Sequence, residues 1–149
     1  MNDQKCEFPL TNAGAEEIAD IVSAARTIAV VGLSDKPDRD SYRIAAYMQR
    51  HGYRIIPVNP AVTEVLDEKA YPDLAAIPPD IAVDIVDIFR KPDAIPAIVE
   101  QAVARGAGTV WMQQGLAHNA AADRARAAGL RVVMDRCLMV EHARLPATR

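Results

Sequence analysis

The sequence predicts a single α/β domain with a five-stranded parallel sheet and helices on both faces. Short apolar runs rich in β-branched residues alternate along the 149-residue chain with longer amphipathic stretches. This alternation is typical of parallel strands joined by crossover helices. Runs such as residues 28–31 and 131–134 are almost wholly apolar, as strands covered on both faces require. Right-handed crossovers then give a doubly wound, Rossmann-type sheet, for which we predict the strand order 3-2-1-4-5.

Glycines and prolines mark where the predicted elements begin and end. Gly52, Gly106 and Gly129 each follow an amphipathic stretch, as residues that end a helix do, and Pro92 opens one. The connection at residues 59–82 is rich in proline and holds at most one short helix, near residues 74–77. The helices are predicted at 15–25, 41–51, 92–105 and 117–128, the strands at 27–33, 53–58, 83–89, 109–113 and 131–135, and a short helix or loop after 136.

Composition and charge argue against several classes of function. The formal net charge of −3 gives no reason to expect nucleic acid or an anionic membrane as a partner. No apolar run is long enough to span a bilayer. The N-terminus has neither the basic nor the apolar region of a signal peptide, so we expect a cytoplasmic protein. Cys6 and Cys137 are far apart in sequence and form neither a metal pair nor a disulfide framework.

The turn after the first strand is the first candidate binding site. An apolar strand, Gly32 and an amphipathic helix follow one another, an order in which backbone N–H groups and a helix N-terminus face an anion. The dinucleotide fingerprint is incomplete, because Ser34 stands at its second glycine and Asn59, not an acid, follows the second strand. A lone glycine also fits an ordinary structural turn, so the turn alone leaves both interpretations open.

Basic residues surround this turn in the sequence. Lys36, Arg39 and Arg43 lie in the turn or just after it, and Arg90 and Lys91 follow the third strand. Positive side chains at a helix N-terminus oppose the helix dipole unless an anion binds there. Basic groups on two separate loops fit a ligand with several phosphates. The alternative is a solvated basic patch that nearby aspartates partly neutralise.

The exit of the second strand is the second candidate. Pro57 and Pro60 fix an extended segment around Val58 and Asn59. The segment offers an apolar ledge and a side-chain amide to an adenine ring. A rigid strand exit with no ligand explains the same residues equally well.

Sequence motifs stand at the carboxyl end of every predicted strand. They are Gly32-Leu33-Ser34 with Pro37 and Arg39-Asp40-Ser41, Pro57-Val58-Asn59-Pro60, Phe89-Arg90-Lys91-Pro92, Trp111-Met112-Gln113-Gln114-Gly115, and Asp135-Arg136-Cys137. Together they resemble the small bacterial CoA-binding domain proteins, a family similar to the CoA-binding domain of the succinyl-CoA synthetase α subunit. The resemblance covers residues 14–142, which leaves 1–13 as an N-terminal arm and 143–149 as a C-terminal tail.

The resemblance implies that the protein binds coenzyme A (CoA) or an acyl-CoA at the carboxyl ends of the strands, without catalysis of its own. It also implies which part of CoA each motif would contact. The implied residues are Gly32, Leu33, Ser34, Arg39 and Ser41 for the phosphates, Lys36 or Arg43 for the 3′-phosphate, Val58, Asn59, Pro60, Phe89, Arg90 and Pro92 for the nucleotide, Gln113 and Gly115 for the pantetheine arm, and Cys137 near the thiol end.

The chain departs from the synthetases in the parts that carry their reaction. They use a phosphorylated histidine in a second domain, whereas His51, His118 and His142 here stand in no catalytic context. We therefore expect no catalytic residues and no metal site. Two alternatives stay open at this point. One is an NADP-linked oxidoreductase, and the other is a regulatory or interaction domain that needs a protein partner or forms a homo-oligomer.

Overall fold

The computed structural model describes residues 7–146, and within them the predicted fold class is confirmed. Five parallel strands form one sheet, and two short antiparallel strands form a separate hairpin. In chain order the strands are β1 (Thr27–Val31), β2 (Arg54–Val58), β3 (Glu64–Val65), β4 (Glu68–Lys69), β5 (Ile85–Ile88), β6 (Thr109–Met112) and β7 (Arg131–Val133), with β3 and β4 in the hairpin.

Helices alternate with the strands and cover both faces of the sheet, as predicted. Val99 of α3 and Ala122 of α4 belong to the apolar core on one face, which we call the α3 face. Ile44 of α2 and Leu138 of α5 belong to the core on the other, the α2 face. The helices are α1 (Ala15–Ala24), α2 (Asp40–Arg50), α3 (Ile95–Ala104), α4 (Asn119–Ala127) and α5 (Leu138–Ala143), with short 3-10 helices at Leu74–Ala76 and Pro92–Ala94.

The order of strands within the sheet differs from the prediction of 3-2-1-4-5. With the sheet strands numbered along the chain, the observed order is 2-1-3-4-5, because β5 pairs with β1 and β2 forms an edge. Pro57 explains the difference. It lies within β2, and a residue without an N–H is tolerated at the edge of a sheet but not between two partner strands. The predicted order is therefore wrong, although the class of sheet is right.

This correction moves the point at which the sheet changes its winding direction. The predicted order 3-2-1-4-5 places that point between the first and fourth strands, but it lies between β1 and β5, the first and third. Ligands of doubly wound sheets bind at the carboxyl ends of the strands beside the switch point. The Gly32 turn after β1 and the Phe89-Arg90 segment after β5 are consequently neighbours across the expected binding crevice.

The connection between β2 and β5 holds more structure than predicted. The short helix expected near residues 74–77 is present as Leu74–Ala76, but the hairpin of β3 and β4 was not expected. The segment after residue 136 forms α5. Residues 1–6, with Cys6, and residues 147–149 of the predicted arm and tail lie outside the described residues. No helix between residues 7 and 146 has the length and apolar character to cross a membrane.

A carboxyl group is buried in the middle of the sheet. Asp87 of β5 is 1% exposed, and neither of its carboxyl oxygens has a hydrogen-bond partner among residues 7–146. It stands opposite Val30 and Trp111 in the neighbouring strands. Burial raises the pKa of Asp87 well above its usual range, because an apolar environment disfavours the ionised form. The fold therefore favours the neutral, protonated form of Asp87.

Replacing Asp87 by the neutral, nearly isosteric Asn should flatten the dependence of stability on pH. At low pH, folded and unfolded chains both carry a protonated Asp87, and above about pH 4 the unfolded chain ionises while the folded one stays neutral. The free energy of unfolding of the natural chain should then fall relative to Asp87→Asn by up to about 1.4 kcal/mol per pH unit. Denaturant titrations between pH 5 and 8 measure this, with exposed Asp123→Asn as control. Parallel curves for the natural chain and Asp87→Asn would contradict the assignment.

Candidate functional site

The turn that follows β1 is shaped by one glycine. Gly32 has a φ of +90° and donates its N–H to the Val58 carbonyl at 2.8 Å. A Cβ atom added there would lie 2.4 Å from the Phe89 carbonyl oxygen and 3.0 Å from Cδ of Arg90. Only glycine fits both the conformation and this close approach of backbone. The turn thus joins the carboxyl ends of β1, β2 and β5.

Side chains within the turn and at the start of α2 brace each other. The backbone N–H of Ser34 donates to the hydroxyl of Ser41 at 3.0 Å, and the N–H of Lys36 donates to the hydroxyl of Ser34 at 3.1 Å. Arg39 is the N-cap residue of α2 and makes no side-chain cap. Two of the predicted phosphate ligands, Ser34 and Ser41, therefore hold the turn together, while the first backbone N–H groups of α2 lack intrahelical acceptors.

The basic residues predicted around the turn differ in whether they have a partner within the protein. Arg43 forms an ion pair with Asp40 and donates to the Asp38 carbonyl at 2.7 Å. Arg39 and Arg90 are exposed, and the close contact between Gly32 and Arg90 places the latter side chain against the turn. An anion at the turn would meet Arg39 and Arg90 directly, whereas Arg43 would first have to leave Asp40.

The amide of Asn59 is used within the protein. Its Nδ2 donates to the Leu33 carbonyl at 2.9 Å, and its Oδ1 accepts the N–H of Ala61 at 2.9 Å. Its own backbone N–H donates to the Tyr71 carbonyl at 2.8 Å. These bonds tie the exit of β2 to the turn after β1. Leu33 itself is fully buried, so its side chain belongs to the core and not to the ligand-facing surface.

A small slot lies on the α3 face, beside the exit of β2. Its volume is about 200 Å³. We call it the β2–α3 slot. Its lining is mostly apolar and contains one cation, Arg90, and one carboxylate, that of Asp73, which already accepts the N–H of Ala76. The other lining residues are Val31, Val58, Pro60, Pro72, Leu74, Ala94, Ala97, Ile98 and Gln101. The apolar walls and the neighbouring positive charge suit a flat aromatic base that carries a phosphate nearby.

Two side chains of the α3 segment, neither of which stood out in the sequence, hold the outer wall of the β2–α3 slot. The guanidinium of Arg105 donates to the carbonyls of Leu74 and Ile77, at 2.8 and 3.2 Å, and to those of Pro78 and Ile81, at 3.1 and 3.0 Å. The Oε1 of Gln101 accepts the N–H of Leu74 at 3.0 Å. No sequence motif marks these residues, because their partners lie at least 24 positions away.

A larger cavity lies on the other side of the crevice, between α2 and α5. Its volume is about 480 Å³, and we call it the α2–α5 cavity. Its lining includes residues from four of the five predicted carboxyl-end motifs, all but that of the second strand. The lining residues are Asp40, Arg43, Ile44, Phe89, Gln113, Gln114, Leu116, Cys137, Met139 and Val140. A second opening of about 440 Å³ adjoins it and shares Gln114, Cys137 and Val140.

Gln113 and Gly115 fix the far wall of this cavity. Gln113 is 5% exposed, and its Oε1 accepts the N–H of Leu138, the first residue of α5, at 3.0 Å. The N–H of Gly115 donates to Oδ1 of Asp135 at 2.8 Å. These bonds join the loops that follow β6 and β7. Cys137 is the N-cap residue of α5, is half-buried and lies on the cavity wall.

Two of the histidines connect α2 with α5. The Nδ1 of His142 lies 2.9 Å from the Tyr47 hydroxyl, and the rings of His142 and His51 are 4.8 Å apart. Burial and then the charge of His51 lower the pKa of His142. The third histidine, His118, accepts the N–H of Ala121 at 3.1 Å and caps α4. Between residues 7 and 146 no three metal-ligating side chains converge. The histidines thus have structural partners.

A further cavity of about 220 Å³ opens at the amino ends of the strands. Asp20 and Asp84 both line it, and Asp84 already accepts the N–H groups of Arg26 and Thr27, each at 2.9 Å. A phosphate would meet two carboxylates there, and the cation of the lining, Arg131, already lies 3.9 Å from a carboxylate oxygen of Glu17. The carboxyl-end crevice is therefore the better anion site.

The crevice connects the two faces of the sheet at its carboxyl edge. Phe89 lines the α2–α5 cavity and its neighbour Arg90 lines the β2–α3 slot, because successive residues of an extended chain point to opposite faces. The Gly32 turn lies between the two openings. This geometry fits an elongated ligand with a nucleotide at one end, phosphates in the middle and a flexible arm at the other.

Comparison with known proteins agrees with this architecture. The chain matches the CoA binding domain family over residues 26–143, and it belongs to that family, so the resemblance found in the sequence is confirmed. It is 41% identical to the uncharacterized protein YneT of Bacillus subtilis over 134 aligned residues, and the alignment covers 90% of this chain and 98% of YneT.

Two further relatives show the range of proteins that contain this fold. A solved structure of a hypothetical protein from Pyrococcus horikoshii OT3 has a TM-score of 0.86 and 39% identity, over 97% of this chain and 99% of that one. The acetate–CoA ligase (ADP-forming) II of Archaeoglobus fulgidus is 26% identical over 93 residues, which are 60% of this chain and 14% of the ligase. Similarity to the ligase thus concerns one small part of that enzyme.

The contact at Gly32 leads to a prediction with an internal control. Gly52 has a similar φ of +95° but nothing within 4 Å of its added Cβ, whereas Gly32 meets the Phe89 carbonyl. Gly52→Ala should lower the free energy of unfolding by about 1–2 kcal/mol, because only the left-handed conformation disfavours alanine there. Gly32→Ala should cost about 1–3 kcal/mol more because of overpacking. Chemical denaturation measures both, and equal losses would show that the contact is unimportant.

Proposed function

We propose that the protein binds CoA, or an acyl-CoA, across the carboxyl edge of its sheet. The observation that carries the proposal is the crevice beside Gly32, which joins a base-sized slot on one face to an arm-sized cavity on the other. Membership of the CoA binding domain family supports CoA as the ligand with that shape. The proposed domain spans residues 14–142, and the proposed location is the cytoplasm.

The diphosphate of CoA would bind at the turn after β1. Its partners would be the free N–H groups at the start of α2 and the exposed guanidinium groups of Arg39 and Arg90. Lys36 is exposed in the same turn and is a candidate for the 3′-phosphate. Ser34 and Ser41 would contribute by holding the turn in shape, since their hydroxyls already bind backbone N–H groups.

The adenosine would occupy the β2–α3 slot. Val58 and Pro60 would supply apolar contacts to the ring from one side, and Pro72 and Leu74 from the other. The amide of Asn59 would position the strand exit and not read the base, because both of its ends are bonded within the protein. Pro92 would likewise shape the site and not read the base, because it begins the helical segment next to Arg90.

The pantetheine arm would run into the α2–α5 cavity, past Phe89 and Gln113 toward Cys137. Gly115 would keep the far loop in place through its bond to Asp135. The histidines have structural partners, and among residues 7–146 none of their ring nitrogens bonds to the Cys137 thiol. We therefore propose binding without catalysis by this chain alone.

A second candidate is a domain whose reaction depends on a partner. The match to a small part of the Archaeoglobus fulgidus ligase favours it, because a domain of this kind also occurs within a larger CoA enzyme. Under this proposal the chain would present bound CoA to a separate protein. Association that appears only with CoA present, measured by pull-down and identified by mass spectrometry, would distinguish it from a stand-alone binding protein.

Calorimetric titration with CoA, dephospho-CoA and NADP tests the proposed function. CoA should bind, dephospho-CoA should bind more weakly because it lacks the 3′-phosphate, and Arg90→Ala should weaken CoA binding by about 10- to 100-fold through loss of charge-assisted hydrogen bonds. Arg54→Ala is the matched control, since Arg54 is exposed at the opposite end of β2. Heat with NADP but none with CoA would contradict the proposal and favour an oxidoreductase.

A further inference from the structure

The α2–α5 cavity has a lining whose chemistry differs from that of the phosphate turn. Five apolar side chains contribute to it, and they come from α2, the exits of β5 and β6, and α5: Ile44, Phe89, Leu116, Met139 and Val140. Ile44 is buried, and Val140 at the rim is 40% exposed. Together they form a surface that can remove several carbon atoms of a ligand from water.

The charges in this lining are already balanced. Arg43 is its positive residue among residues 7–146, and Asp40 pairs with it. In the adjoining opening, Arg144 bonds to Glu141 at 2.9 Å, whereas Arg136 donates to the neutral Asp135 carbonyl at 3.1 Å and forms no ion pair among residues 7–146. A carboxylate held within the α2–α5 cavity itself would lose water without gaining an unpaired cation, which disfavours its binding there.

Gln113 provides a polar group in the cavity wall that remains available to a ligand. The Oε1 of Gln113 is held by the N–H of Leu138, which fixes which end of the amide faces the protein. The Nε2 makes no hydrogen bond to the described residues, and it is not fully sealed from solvent. A buried donor at this place would suit a carbonyl oxygen, such as that of an amide or a thioester.

We propose that the α2–α5 cavity binds the acyl group of an acyl-CoA, and that it selects short, uncharged, apolar acyl chains over dicarboxylic ones. This inference rests on the proposed function, and it specifies the class of ligand for the same site. Apolar walls contact the acyl chain, and the Nε2 of Gln113 donates to the ligand's carbonyl. Arg43 is already paired with Asp40 and therefore provides no unpaired positive charge to a terminal carboxylate.

Titration of the full chain with CoA, acetyl-CoA, butyryl-CoA and succinyl-CoA tests this selectivity. Each buried CH₂ is worth about fourfold in affinity, so butyryl-CoA, with two more CH₂ groups, should bind about 15-fold more tightly than acetyl-CoA. Succinyl-CoA has the same number of acyl carbons as butyryl-CoA, and it should bind at least about tenfold more weakly. Equal binding of all four ligands, or a preference for succinyl-CoA, would overturn the inference while leaving CoA binding intact.

Substitutions at Val140 keep the test independent of folding, because this side chain lies at the exposed rim. Val140→Lys should narrow or reverse the preference for butyryl-CoA over succinyl-CoA by supplying an unpaired cation, and Val140→Leu should preserve it. An unchanged preference in Val140→Lys would place the acyl group elsewhere and overturn the inference. Failure of free CoA to bind to the natural chain would instead contradict the proposed function itself.

Discussion

The close approach of the Phe89 carbonyl to Gly32 joins the two strands that flank the crevice. Because a Cβ atom at this point would lie 2.4 Å from that oxygen, the ends of β1 and β5 meet only with glycine in the turn. The backbone N–H of Gly32 also donates to the Val58 carbonyl at the exit of β2. The start of α2, the β2–α3 slot and the near wall of the α2–α5 cavity take their positions from these three strand ends, whereas the loops after β6 and β7 fix the far wall of that cavity. A ligand that spans both faces therefore depends on one backbone contact.

Several side chains that look like ligand contacts in the sequence instead hold the site in shape. Ser41 supports the turn, Asn59 links two strand exits, and Gln113 holds the start of α5. Bonds made before a ligand arrives reduce the ordering that binding must later impose, which favours affinity. The exposed Arg39 and Arg90 then carry the charge that an anion would meet. Binding and bracing are thus divided between neighbouring residues of the same motifs.

The class of fold and the motifs at the strand ends could be predicted from sequence, because apolar runs and glycine turns are local signals. The strand order could also have been derived, since Pro57 excludes a central place for β2. The hairpin of β3 and β4 was harder to predict from the sequence. Its turn places Leu66 and Asp67 at φ values of 56° and 63° without the Asn-Gly or Asp-Gly pair that usually marks such turns. The partners of Arg105 and the burial of Asp87 are long-range properties that no short motif records.

A crystal structure of the complex with CoA tests the central claim most directly, namely that one ligand crosses the carboxyl edge between the two faces of the sheet. The account predicts adenine between Pro60 and Leu74, phosphates beside Gly32, and the pantetheine arm beside Gln113. CoA confined to one face of the sheet, or bound at the amino edge near Asp20 and Asp84, would contradict the account. Either result would retain the fold and the family, but it would require a different explanation for the cavity between α2 and α5.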